Sequence, residues 1–179
     1  MTHSFIVNLL TLCPELKVWI FICDSNDFLL FLEVKDCLGR EAENRWRIAP
    51  NNEKRDSIPS STDKSDRDSL DIEVSHKVAM TISCLLGAQT YREKRITKAE
   101  ELIPYVEALE DCRIAQRSKP LYVVLLLEGD FGSQTRNKAM IMYRIQQYLE
   151  KKLKWLNCRI SVEDTSTYSK RLFSIERIE

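Results

Sequence analysis

The run 121–127 (LYVVLLL) is apolar throughout and reads as a central strand buried on both faces. Two further segments, 17–23 (KVWIFIC) and 28–35 (FLLFLEVK), are rich in β-branched and aromatic side chains. The turn chemistry of Asp24-Ser25-Asn26-Asp27 between them predicts a hairpin. Pairing Cys23 with Phe28 brings Val18 and Trp19 opposite Leu32 and Glu33, with Leu16 opposite Lys35. Upstream, the apolar stretch 5–12 fits either a short helix or a first strand, and it ends at Cys13-Pro14 because the residue before proline is pushed out of the helical region.

Helical spacing takes over later in the chain. From Ser69, the residues Leu70, Val74, Val78, Ile82 and Leu85 fall on one stripe, and Gly87 supplies the expected stop. Residues 97–111 predict a second helix, capped by Thr97 and disturbed at Pro104. Residues 137–156 predict a long amphipathic helix with Ile141, Ile145, Tyr148, Leu149 and Leu153 inward. Strands at 158–162 and 172–178 complete the order. Between the hairpin and the first long helix, 51–68 (NNEKRDSIPSSTDKSDRD) carries almost nothing apolar and is expected to be a disordered loop. Alternating strands and helices make a mixed α/β sandwich. There is no internal repeat, and four glycines with no Gly-rich phosphate loop argue against the P-loop and dinucleotide folds.

Composition narrows the picture further. The 179 residues suit one domain over 1–179, with 44% apolar and 30% charged side chains. Basic and acidic residues balance at 27 each, so overall charge does not point to a polyanionic partner. The cysteines at 13, 23, 37, 84, 112 and 158 contain no C-x-x-C pair, which argues against zinc and for a reduced, cytoplasmic protein. The segment 5–12 is too short to span a bilayer, and no membrane association is expected.

The candidate chemistry lies in the second hairpin strand. Side chains alternate along a strand, so Glu33 and Lys35 share a face with Leu29 and Phe31, and two charges stand at the end of an apolar strand. Burying them is unfavourable unless they are paired or bind a metal. An E-x-K on a strand after a hairpin resembles the PD-(D/E)XK nuclease superfamily. The wider run Phe31-Leu32-Glu33-Val34-Lys35-Asp36, with Gly39-Arg40, Glu43-Asn44, Lys77-Val78, Thr81 and Leu86-Gly87-Ala88, resembles an uncharacterised bacterial branch of that superfamily with the pattern F-x-E-V-K-D, R-G, R-x-E-N, K-V-x-D-T. The likeness covers roughly 18–88, and the chain departs from it at Leu38, where arginine is expected, and at Met80, where aspartate is expected.

The resemblance implies a restriction-endonuclease-like mixed β-sheet flanked by helices and Mg²⁺- or Mn²⁺-dependent cleavage of a phosphodiester, with DNA as the partner. Glu33 would be a metal ligand, Val34 would lend its backbone carbonyl, and Lys35 would orient the attacking water. The first acid of such a site is absent opposite Glu33, where the pairing puts Val18 and Trp19. Glu15, in Pro14-Glu15 and 18 residues before Glu33, is the substitute; Glu41 and Glu43 are weaker ones. Lys77 on the helix could touch a phosphate or remain solvated. Arg40, Arg45 and Arg47 form a basic loop where a nucleic-acid backbone would pass, and Trp46 could stack on a base. Two readings follow: a nuclease, or a catalytically impaired nuclease-fold subunit that binds nucleic acid or a protein, as a homodimer or within a larger assembly.

Overall fold

The computed structural model describes residues 8–11, 19–58, 67–90, 100–133 and 135–175, with side chains described from Ile20 onward. Five strands, β1 (Asn8–Thr11), β2 (Trp19–Asp24), β3 (Leu29–Asp36), β4 (Leu121–Glu128) and β5 (Cys158–Glu163), form one sheet in the order β1-β2-β3-β4-β5. The helices are α1 (Glu41–Asn44), α2 (Leu70–Gln89), α3 (Ile103–Glu110), α4 (Cys112–Ala115) and α5 (Lys138–Lys152). The fold is α/β with a mixed sheet, as the alternation of elements predicts. The ambiguous segment near the N-terminus is a strand over Asn8–Thr11; residues 1–7 and 12–18, including Glu15, lie outside the described residues.

Two compact units share this chain: one from segments within Met1–Glu33, Lys77–Val123 and Asn157–Arg159, the other within Val34–His76, Val124–Leu156 and Ile160–Glu179. In the first unit β1 and β2 run antiparallel, as do β2 and β3, with Asp24 opposite Leu29 and Phe21 opposite Leu32. This register corrects the expected pairing by two residues. The turn is Ser25–Phe28, closed by Ser25 N donating to Phe28 O at 3.0 Å and by Ser25 Oγ accepting from Phe28 N at 3.1 Å. Continued one step, the register puts Ile20 rather than Val18 or Trp19 across from Glu33, and Ile20 is buried. An even shift keeps every side chain on its face, so the position stays apolar.

The parallel part of the sheet shows in its connections. Leu29 N donates to Pro120 O at 3.1 Å in the first unit, and Cys37 N to Glu128 O at 3.1 Å in the second, so β3 and β4 advance together. Arg159 meets the Tyr122 hydroxyl at 3.1 Å and Thr165 N meets Glu128 Oε1 at 2.6 Å, which gives β4 and β5 the same sense. The first unit buries Ile22, Phe31, Val78, Leu85, Val106 and Leu121; the second buries Leu70, Val74, Leu125, Leu127, Phe131, Ile145 and Leu149.

Three local expectations are corrected. Gly87 does not stop α2, which continues to Gln89 because Ala88 extends the buried stripe. Pro104 does not disturb α3 but opens it, standing in the first turn where its missing N–H costs nothing; Thr97 lies outside the described residues. Leu172 and Phe173 are buried without forming a strand, Phe173 stacking on Tyr168 at 5.2 Å between ring centres. Of the loop 51–68, residues 51–58 and 67–68 are described and 59–66 lie outside the described residues. Asn52 N donates to Ser69 Oγ at 3.0 Å, Ser69 N donates to Asn52 Oδ1 at 2.7 Å, and Arg55 pairs with Asp68 at 3.0 Å. Some of the polar side chains here serve backbone groups at the start of α2.

One glycine is demanded by geometry. Gly129 ends β4 at φ 115°, and a Cβ there would lie 3.2 Å from Cys37 Cβ and 3.2 Å from Glu41 Cγ. Gly129→Ala is expected to destabilise the protein by about 1 to 2 kcal/mol, read from the urea midpoint at unchanged m-value. Among the described residues no helix is long and apolar enough to cross a membrane.

Candidate functional site

In the first unit, β3 delivers Glu33 into the core at 2% exposure, because the strand places it on the same face as Leu29 and Phe31. Lys77 of α2 answers it. That lysine stands beside the buried positions Val74 and Val78, and its Nζ donates to Glu33 Oε1 at 2.7 Å with a side chain only 12% exposed. Neither charge is solvated, contrary to the expectation of a solvent-facing Lys77.

In the second unit, Lys35 Nζ donates to Glu73 Oε1 at 2.5 Å, and Arg47 Nη2 reaches the other oxygen, Glu73 Oε2. Arg47 is 7% exposed; its Nη1 donates to Asn44 Oδ1 at 3.0 Å and its Nε to the Asp68 carbonyl at 3.1 Å. The guanidinium expected on an open basic loop is thus buried and engaged in hydrogen bonds. Trp46 is also buried, which leaves it no face for a base. Arg40 and Arg45 are exposed, as a phosphate contact requires, and Val34 is exposed at the end of the strand. Glu43 is exposed, while Glu41 accepts from Asp130 N at 3.3 Å. Hydrogen bonds from the backbone N–H groups of Glu41 itself, Asp130 and Gly39 hold the Glu41 carboxyl below the usual range.

Sequence reasoning passed over Glu73. Its signal was available, since it precedes Lys77 by one helical turn and so shares its side of α2. Asn44, buried, accepts from Arg47 Nη1 through its Oδ1 at 3.0 Å and donates from Nδ2 to the Arg40 carbonyl at 2.9 Å; the sequence marks it only as part of a motif.

A divalent metal needs several oxygen ligands converging on one point. Among the described residues no group of three or more His, Cys, Asp or Glu side chains is placed to hold one. Glu33 is bonded to an ammonium, and Glu73 to an ammonium and a guanidinium. Each of these two carboxylates thus faces positive charge.

Fold and site define an α/β protein with a mixed sheet whose central strand carries buried, ion-paired charge. The chain belongs to a family of unknown function, DUF6661, whose model matches residues 3–177. Neither a curated protein nor a solved structure matches it.

Proposed function

We propose that this chain is a PD-(D/E)XK-like module that binds nucleic acid without cutting it and works as a subunit of a larger assembly. The observation that carries this reading is the Lys77 ammonium on the Glu33 carboxylate. A lysine there neutralises the charge that would otherwise attract a metal. The hairpin-helix-strand order supports the nuclease-like ancestry, and the exposed Arg40 and Arg45 supply contacts for a phosphate backbone.

The test combines a plasmid-nicking assay in Mg²⁺ or Mn²⁺ with duplex binding by fluorescence anisotropy across a salt series. The expected result is no nicking, with binding that weakens as salt rises. Arg40→Ala/Arg45→Ala should reduce the slope of log affinity against log salt by about two. Absence of binding at low salt would reject the reading.

A second reading, an Mg²⁺- or Mn²⁺-dependent nuclease using Glu33, Lys35 and Glu15, is favoured by the burial of a carboxylate at the end of an apolar strand. Metal-dependent nicking that disappears in Glu33→Ala would establish it instead.

A further inference from the structure

The first unit contains a 240 Å³ cavity lined by Arg117 and Arg159 together with Ile114, Leu121, Asn157 and Cys158. It lies away from the E-x-K motif in sequence and is independent of the reading above. Its electrostatics are one-sided. Neither guanidinium has a carboxylate partner among the described residues, whereas the neighbouring Asp111 and Asp24 are taken up by Arg113 and Lys119, each at 2.7 Å. Burial pushes the Cys158 thiol up to about 11, so it stays neutral and contributes no opposing charge.

The fold places the Arg159 side chain and the Arg117 backbone, and both residues are exposed to a ligand from solvent. Arg159 Nη1 donates to the Tyr122 hydroxyl at 3.1 Å while its guanidinium carbon sits 5.7 Å from the centre of that ring. The remaining N–H groups are left for a ligand. Arg117 follows the end of α4 at φ 61°, with Arg117 N donating to Ile114 O at 3.0 Å and Ser118 N to Arg113 O at 2.9 Å. This pair of bonds closes a helix whose next residue is left-handed, a position that favours glycine. An arginine held there, on the wall of a cavity, calls for a reason beyond the backbone.

We infer that this cavity binds a phosphate monoester through Arg117 and Arg159. Two planar guanidinium groups suit the charge and the several oxygens of a terminal phosphate better than a single carboxylate. The Ile114 and Leu121 side chains provide an apolar wall for the group that carries it.

Isothermal titration of the full chain tests this with inorganic phosphate, adenosine monophosphate, acetate, and a single-stranded oligonucleotide carrying or lacking a terminal phosphate. At least one phosphate-bearing probe is expected to bind with Kd of about 1 mM or tighter, acetate more weakly. Preference for adenosine monophosphate identifies a small ester as the source; preference for the phosphorylated oligonucleotide identifies a strand end. Arg117→Gly should keep or raise Tm, since glycine suits that backbone, yet weaken binding about tenfold. Arg159→Gln should do the same to binding. Binding of no phosphate-bearing probe, acetate binding as tightly as phosphate, or wild-type affinity in both Arg117→Gly and Arg159→Gln would each overturn the assignment.

Discussion

Lys77→Met is expected to lower unfolding free energy by about 3 kcal/mol, and Glu33→Leu/Lys77→Met to recover most of that loss. Glu33 is 2% exposed and sits on a strand, where its short stem cannot carry the carboxylate to water. Removing the ammonium 2.7 Å away therefore withdraws the cation that offsets its desolvation. The converse change is milder. In Glu33→Leu the long Lys77 side chain can swing its charge outward, so a loss of about 1 kcal/mol is expected. Replacing both removes the desolvation of two ions and leaves apolar groups of similar volume in their place. Urea unfolding of the four proteins closes a double-mutant cycle. A Lys77→Met variant within about 0.5 kcal/mol of wild type, with no coupling in the cycle, would show that the pair behaves as a surface salt bridge.

Periodicity carried the fold a long way. The apolar run at 121–127 became β4, the stripe through Leu70, Val74 and Val78 became the buried face of α2, and Ile141, Ile145, Leu149 and Leu153 line α5 beneath Asn137, whose side chain caps Met140 N at 2.9 Å. These signals are strong because a buried face repeats over several turns or pleats. Errors collected where one hydrogen bond decides. The hairpin register depends on Ser25 Oγ, and Leu172 and Phe173 look like strand residues because burial, not pairing, selected them.

The site divides the same way. A charged pair inside an apolar strand is visible in sequence, and so is the need for partners, since buried charge must be compensated. Which partners it has depends on how α2 packs, and nothing in local sequence reports that. Lys77 reads as solvated until α2 turns it toward Glu33, and Arg47 reads as part of a basic loop until Glu73 and Asn44 claim it. Two of the charges that suggested a phosphate-cleaving centre, Glu33 and Lys35, are engaged in ion pairs, which shifts the proposed role from cleavage to binding, while Arg47, expected as a backbone contact, is taken up by Glu73.

Acid should expose a second buried carboxylate, and Asp164→Ala is expected to cost about 3 kcal/mol at neutral pH. Asp164 is 5% exposed, at the turn after β5, and Lys138 Nζ lies 2.7 Å from its Oδ2. Its Oδ1 accepts from Ser166 N at 3.0 Å, Ser166 Oγ at 2.6 Å, Thr167 N at 3.0 Å and Thr167 Oγ1 at 2.9 Å. Burial alone would raise its pKa, but the hydrogen bonds from Lys138, Ser166 and Thr167 outweigh burial and hold the carboxyl well below the usual carboxylate range. Because the folded pKa is depressed, the unfolded chain binds the proton first; the stabilisation is complete above the unfolded value of about 4 and is lost as pH falls below it toward the folded value. Asp164→Asn keeps acceptors for the turn and loses the charge, so it should cost less at pH 7 and show a shallower decline in stability on acidification. Unfolding measured from about pH 6 to pH 3 separates these outcomes. Equal acid slopes for wild type and Asp164→Asn would mean that other carboxylates govern the acid limb.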